Sequence, residues 1–379
     1  MINYSISSGT FPDHWKVARV KPLFKGGGAS DRSSYRPISI LPILSKVIER
    51  HIHNALYRYL TEYSLIYSKQ SGFRKNHSTE TALIDLVDKL QMNLDTNKIS
   101  SLLLVDYRKA FDMIDHGLLM IKLEAYGAAG DSLKWFQSYL ENRKQLVSLE
   151  GFESTEMTIR HGVPQGSILG PLLFVIFIND MPLHIDSEAE TELYADDTTI
   201  MASADVNCIA GLEESLNMCA ANLESWAIMN KLPLNEEKTK VLTITGKRLV
   251  KKITRLPNVK INGKQLENVN CASLLGLKLE EKLTFEAHVE KLCKKMSQRI
   301  AVLKKIRHCL PLRQRKLYYN SIIRPVVDYV SVVWTSCNKE CLRRVLKLHK
   351  RAARAILRVN SRSSSVKLFN QLGWIPFYE

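Results

Sequence analysis

Three aspartates pose the first chemical question. Asp106 closes the apolar run Leu102 to Val105, and the adjacent pair Asp196 and Asp197 follows Leu193, Tyr194 and Ala195. Two like charges about 4 Å apart repel by roughly 4 kcal/mol at an effective dielectric near 20. Adjacent acids close to a third are therefore costly unless a cation joins them. Magnesium, a hard dication, prefers carboxylate oxygens together with substrate phosphates. Two such ions about 3.5–4 Å apart stabilise both the attacking and the leaving oxygen of a phosphoryl transfer. Taken singly, each acid reads equally as structure: the pair as a hairpin turn and Asp106 as a strand terminator. The chemistry depends on whether the fold brings all three together.

Two segments carry these acids. LLLVDY (Leu102 to Tyr107) reads as a buried strand. ELYADDTTIM (Glu192 to Met201) reads as two short strands joined by a tight turn at Asp196 and Asp197. Between them, GVPQGSILGPLLFVIFIND runs from a Gly/Pro-rich loop into an apolar helix. Nearer the N-terminus, VARVKPLF (Val17 to Phe24) alternates in strand fashion until Gly26, Gly27 and Gly28 break it. After Pro42, residues Val47, Ile48, Ile52, Leu56 and Leu60 fall at helical spacing. From about residue 282 the pattern is almost wholly helical. There Arg343, Arg344, Lys347, Lys350, Arg351, Arg354 and Arg358 line one side of a helix, opposite Leu342, Leu346, Ala353 and Leu357.

The chain has 379 residues, enough for two or three domains, with 45% hydrophobic and 24% charged residues. That composition excludes a disordered chain, a collagen-like repeat and a small disulfide scaffold. No apolar run reaches the roughly 20 residues of a membrane span, and no secretory signal is visible at the N-terminus. Lys plus Arg number 54 against 38 Asp plus Glu, a net charge of +16. From Glu281 onward stand 22 basic and 6 acidic residues, so the whole excess lies in the last quarter. A neutral body with a basic C-terminal region suits a polyanionic partner, nucleic acid first. A solvated helical surface is the alternative. Seven cysteines without framework spacing fit a reducing compartment. Cys337 and Cys341 with His349 hint at a metal site but lack a fourth ligand at zinc-finger spacing, which favours helix packing.

The motifs then fall into a known order. FPDHWKVARVKPLFKGGGASDRSSYRPISILPILSKVIER, QSGFRKNHSTETAL, LLLVDYRKAFDMIDH, HGVPQGSILGPLLFVIFINDMP, YADDTTI, MNKLPLNEEKTKVL and LLGLKLEEKLTFEAHV succeed one another over most of the chain, and YYNSIIRPVVDYVSVVW follows. This series resembles the reverse transcriptases of non-LTR (LINE-type) retrotransposons, of the jockey and chicken-repeat kind. A lone YADD would be weak evidence; seven ordered motifs are strong.

The resemblance implies a role for particular residues. Asp106, Asp196 and Asp197 match the metal-binding triad, which implies two Mg²⁺ ions, with Mn²⁺ as an alternative. Phe111 matches the residue beneath the nucleotide sugar, where a ring leaves little room for a 2′-hydroxyl. Lys25 and Arg36 match the basic pair that grips the incoming triphosphate. Lys21 competes with Lys25, and a solvated surface lysine is as good a reading of that position. Gln165 and Gly166 match the pair where the chain passes the template and nascent base pair; a simple turn is the alternative. Lys238 matches the lysine that protonates departing pyrophosphate, or is a surface loop lysine. Arg74 is expected at a fingers–template contact. Arg343, Arg344, Lys347 and Arg351 are expected along the backbone of the hybrid.

The expected fold is an α+β right-hand polymerase. Fingers and an antiparallel-sheet palm would occupy 1–279, and a helical basic thumb 280–379. The expected reaction is RNA-templated DNA synthesis from a primer 3′-hydroxyl with deoxynucleoside triphosphates. Expected partners are an RNA template and a DNA primer, with no membrane; the oligomeric state is open. The implied setting is intracellular: nuclear, with a cytoplasmic ribonucleoprotein stage. Relatives carry an endonuclease ahead of the polymerase and further segments behind it, so the chain is expected to be a polymerase core from a longer polyprotein or a decayed copy. Two alternatives remain: a retroelement-derived nucleic-acid-binding protein that no longer polymerises, and an RNA-dependent RNA polymerase. Phe111 speaks against the second.

Overall fold

The structure is a computed structural model that describes residues 2–185, 188–360 and 362–375. Its centre is a five-stranded sheet in the order Glu267–Asn268, Lys240–Ile244, Lys98–Val105, Asp197–Asp205, Glu190–Tyr194. All neighbours are antiparallel except the short edge strand Glu267–Asn268. Side chains alternate across the central strand, so its two faces serve two cores. Ile99, Leu103 and Val105 enter one core and Leu102 the other.

The strand begins four residues earlier than LLLVDY suggests. Polar Ser100 and Ser101 do not interrupt it, because their hydroxyls are bonded inside the sheet. Ser100 Oγ lies 2.9 Å from Ser203 Oγ, and Ser101 Oγ 2.8 Å from Thr243 Oγ1. It also ends at Val105, so Asp106 stands just beyond the ladder.

On the first face lies the helix Gly170–Ile178, with eight of its nine residues buried. A helix apolar all round needs cover on every side. The helix Ile209–Met229 packs there too, through Leu212, Leu216, Leu223 and Trp226. The second face is covered by the helix Thr79–Asp95 and by a C-terminal helical bundle. In that bundle Glu286–Ile306 and Lys339–Leu357 are the longest helices.

A second sheet is separate. Val17–Phe24 pairs antiparallel with Tyr35–Ile40 and parallel with Lys144–Leu149. The helix expected after Pro42 runs Ile43–Glu62. Ile48 and Leu60 are buried as expected, whereas Val47 faces outward.

The basic helix needs a correction of phase. In Lys339–Leu357 the buried stripe is Cys341, Val345, Ala352, Ala353, Ala355 and Ile356, while Leu342, Leu346 and Leu357 are only half-buried. Arg358 lies past the helix end in left-handed backbone (φ +56°) and donates to the carbonyls of Arg307, His308 and Leu310. Arg354 donates to Ser363 O. The exposed basic face is therefore shorter than the sequence pattern suggests. Cys337 and Cys341 are buried unpaired thiols in the second core. No described helix is long and apolar enough to cross a membrane.

Candidate active site

Register brings the aspartates together. Val105 pairs with Thr198, so the residues just beyond them, Asp106 and Asp197, flank each other at one end of the sheet. Tyr194 pairs with Asp197, which leaves Ala195 and Asp196 as the two-residue loop. The turn is thus one residue earlier than expected. Tight hairpin loops of this length call for positive φ, and Ala195 supplies it at +58°.

The loop is held from outside. Gln70 is fully buried, and its Oε1 accepts from Gly72 N at 2.7 Å and Ala195 N at 3.1 Å. Ser71 N donates to Leu193 O, and Leu193 N to Lys69 O, at 2.8 and 3.1 Å. Gly72 is required here: a Cβ would stand 2.1 Å from Ala195 N. Asp106 is fixed differently. Asn235 Nδ2 donates to Asp106 Oδ2 at 2.8 Å, and Asn235 N donates to Asp106 O at 2.8 Å.

Asp196 and Asp197 are exposed at the sheet end but are partly dehydrated by the protein behind them. For Asp197 that dehydration, followed by the charges of Asp196 and Asp106, pushes the carboxyl up to about 6. Asp196 is raised mainly by dehydration, with a further push from Asp106; Arg36 opposes this. Among the described residues no lysine, arginine or histidine forms an ion pair with any of the three. As they stand, no three described His, Cys, Asp or Glu side chains are gathered tightly enough to hold an ion. The donor chemistry still fits: three carboxylates, two with raised pKa values, form the oxygen-rich anionic set that a hard divalent cation relieves.

A second group of residues converges on the loop Val163–Ser167. Ser39 N donates to Gln165 O at 2.7 Å, Gln165 Nε2 to Asp112 Oδ1 at 2.9 Å, and Val163 N to Phe111 O at 2.9 Å. Gly166 has φ +124°, and a Cβ there would lie 2.4 Å from Ser39 O, so only glycine fits. Buried Glu49 accepts from Ile168 N at 2.6 Å, which anchors the loop where the helix Gly170–Ile178 begins. Phe111 is half-buried and stacks on Phe174 at 4.5 Å and 21°.

The basic candidates separate. Arg36 is exposed on Tyr35–Ile40, and its charge reaches Asp196. Lys25 is exposed in the loop after Val17–Phe24, tied by its backbone N to Ser34 O at 2.9 Å. Lys238 is exposed in a turn whose backbone N bonds to Asn235 O, the residue that holds Asp106. Arg74 turns inward: its Nη1 donates to the carbonyls of Tyr67, Ser68 and Gln70 at 3.1, 3.2 and 3.0 Å. Nη1 thereby braces the Gln70 loop instead of making the expected template contact. Arg343, Arg344, Lys347 and Arg351 are exposed, and among the described residues only Arg343 of these four has a carboxylate in reach, Glu340 at 3.6 Å. Sequence reasoning passed over Gln70, Asn235, Asp112 and Glu49. All four lie inside or beside motifs already singled out, QSGFRK, LNEEKTK, AFDMIDH and SKVIER, which was the only signal available.

An antiparallel sheet whose hairpin sets two acids against a third, with a second sheet and a helical bundle around it, is an α+β polymerase fold. The model of the family described as reverse transcriptase (RNA-dependent DNA polymerase) matches residues 25–279. The chain belongs to that family. It is 31% identical over 366 residues to "Probable RNA-directed DNA polymerase from transposon BS" of Drosophila melanogaster, a match covering 91% of this chain and 39% of that one. It is 30% identical over 368 residues to the RNA-directed DNA polymerase from the mobile element jockey of the same species, covering 94% and 39%. The chain thus spans about two-fifths of the length of these non-LTR relatives. Among solved structures, telomerase from Candida albicans with a fragment of telomeric RNA aligns at TM-score 0.50 and 13% identity, over 98% of this chain and 68% of that one. That likeness concerns the fold alone.

Proposed function

We propose that this chain synthesises DNA on an RNA template, adding deoxynucleotides to a primer 3′-hydroxyl. The observation that carries this is the meeting of Asp106, Asp196 and Asp197 at one sheet end, with no cation among the described residues in an ion pair with them. Two Mg²⁺ ions, or Mn²⁺ in their place, held by these carboxylates would supply charge stabilisation for the attacking and leaving oxygens. Asn235 keeps Asp106 turned toward the site, and Gln70 keeps the Ala195–Asp196 loop in its strained form. Phe111, seated on Phe174, sets the floor under the sugar and disfavours a 2′-hydroxyl. Gly166 lets the backbone approach the nascent base pair, and Asp112 orients the Gln165 amide.

Arg36 and Lys25 would bind the triphosphate, and Lys238 would give a proton to the departing pyrophosphate. Arg343, Arg344, Lys347 and Arg351 would lie along the hybrid backbone, adding affinity without sequence information. Arg74 enters this scheme chiefly by bracing the Gln70 loop. In this reading 1–279 form fingers and palm, 280–379 form the thumb, and the element acts in the nucleus after a cytoplasmic ribonucleoprotein stage.

Primer extension on matched RNA and DNA templates, with deoxynucleotide and ribonucleotide pools supplied separately, tests the reading. Extension of an RNA-templated primer by deoxynucleotides supports it. Extension by ribonucleotides alone would assign a different polymerase.

A further inference from the structure

Phe73 is an aromatic that the fold holds in an awkward place. The residue is 49% exposed, and its backbone is left-handed, with φ +58°. That conformation costs a non-glycine residue on the order of 1 kcal/mol, and such strain persists only where surrounding contacts over-determine it. Here both neighbours are fastened. Gly72 is pressed against Ala195 and bonded to Gln70, and Arg74 is bonded to three carbonyls of the preceding loop. Both flanking residues are thus tied by contacts of their own.

What the ring meets is Phe111. The two centroids are 6.3 Å apart with the planes at 89°, an edge-to-face pair. Phe111 meanwhile stacks on Phe174, which is fully buried in the helix Gly170–Ile178. One neighbour is thus a fixed floor and the other a perpendicular wall. A ring that excludes a hydroxyl by steric contact must be held to a fraction of an ångström. Stacking alone leaves it free to slide over its floor, whereas a perpendicular partner restrains it from the side.

We propose that Phe73 is a positioning residue for sugar choice, holding Phe111 in the orientation that excludes the 2′-hydroxyl of a ribonucleoside triphosphate. This rests on the reading of Phe111 as the residue beneath the sugar. It gives the strained segment Gly72–Arg74 a purpose that its contacts with the hairpin and the preceding loop do not explain, since those contacts use the backbone of Gly72 and the side chain of Arg74 but not the ring of Phe73.

The test is single-nucleotide addition to a primer on an RNA template, with kcat/KM measured for a deoxynucleoside triphosphate and its ribonucleotide counterpart. The proteins are wild type, Phe73→Ala, Phe73→Leu, Phe73→Tyr, Phe111→Ala and the double variant Phe73→Ala with Phe111→Ala. Alanine at this φ carries the same backbone strain, so the substitution isolates the ring. Phe73→Ala and Phe73→Leu are expected to lower the preference for deoxynucleotides about two- to tenfold, the range one edge-to-face pair supports. Phe73→Tyr should retain the preference, and the double variant should be no more permissive than Phe111→Ala.

An unchanged preference in Phe73→Ala or Phe73→Leu, beside a relaxed Phe111→Ala, would overturn the proposal and leave the reading of Phe111 standing. An unchanged preference in Phe111→Ala would overturn both. Loss of all extension in Phe73→Ala and Phe73→Leu together would also overturn it, because a residue that acts only on sugar choice leaves deoxynucleotide addition in place.

Discussion

At one end of the central sheet stand three carboxylates, none in an ion pair with a cation among the described residues. On the helix Lys339–Leu357, Arg343, Arg344, Lys347 and Arg351 stand exposed, with one carboxylate in reach of them among the described residues. Both regions are electrostatically incomplete, but they are built by different means. The acidic site comes from register: Asp106 and Asp197 are 91 positions apart and meet because Val105 pairs with Thr198. The basic face comes from local helical spacing, so each charge is placed independently of the others. In the proposed reading the first arrangement fixes atoms for chemistry, so each single substitution is expected to be severe. The second supplies a field that any one charge modifies only in part.

The sharpest break of that comparison is on the acidic side. Removing any one carboxylate of Asp106, Asp196 or Asp197 is expected to lower extension at least about 10³-fold. Metal-assisted charge stabilisation is worth several kcal/mol, at tenfold per 1.36 kcal/mol. Rapid-quench measurement of single-nucleotide addition checks this, and binding of the hybrid should hardly change.

On the basic side the expectation is graded. Replacing Arg343, Arg344, Lys347 and Arg351 together by Ala should weaken hybrid binding and reduce the slope of log affinity against log salt by about 3, at roughly 0.7–0.9 per phosphate contact. Extension at saturating hybrid should stay near wild type. Equal loss at every salt concentration would show that these residues support the fold rather than the backbone contact.

Gln70 sharpens the comparison from within the acidic side. Gln70→Ala leaves the Ala195 N–H without its acceptor, an unmet buried donor worth about 1–3 kcal/mol. Extension should fall roughly 10- to 100-fold with a modest loss of thermal stability. Full activity in this variant would mean the hairpin keeps its form without outside support.

The smallest expected effect is a pH dependence of opposite sign in the two regions. Burial holds His288 and His349 down at about 4. The folded bundle therefore keeps them neutral while the unfolded chain protonates near 6.5. Their contribution is fully present above that value and is lost as pH falls toward 4. Asp197 behaves oppositely: its carboxyl, raised to about 6, makes the folded site more comfortable as pH falls from 6 toward 4. Acid should therefore loosen the C-terminal bundle before the sheet. Hydrogen exchange at pH 7 and 4.5 reads this, and uniform protection loss would contradict it.

Much of this architecture was legible because it is periodic. Val17–Phe24 shows its alternation and has the bounds the sequence suggests, and the apolar run at Gly170–Ile178 is buried all round. What escaped was set by tertiary contact. Ser100 and Ser101 look too polar for a central strand until their partners on neighbouring strands are seen. The hairpin turn lies one residue early because Gln70 stabilises positive φ at Ala195, a residue no turn rule favours there. Helix Lys339–Leu357 buries small Ala352, Ala353 and Ala355 against its neighbours, so the larger leucines mislead about its inner face. Gln70, Asn235 and Glu49 act on atoms more than 100 residues away, which no local spacing reveals.

The central claim is that the carboxylates of Asp106, Asp196 and Asp197 perform nucleotidyl transfer. It is tested most directly by primer extension on an RNA template in Mg²⁺, with wild type beside Asp196→Ala at equal hybrid occupancy. The account predicts deoxynucleotide addition by the wild type alone, with both proteins binding the hybrid equally. Extension by Asp196→Ala at the wild-type rate would contradict it, and so would hybrid binding by both proteins with extension by neither.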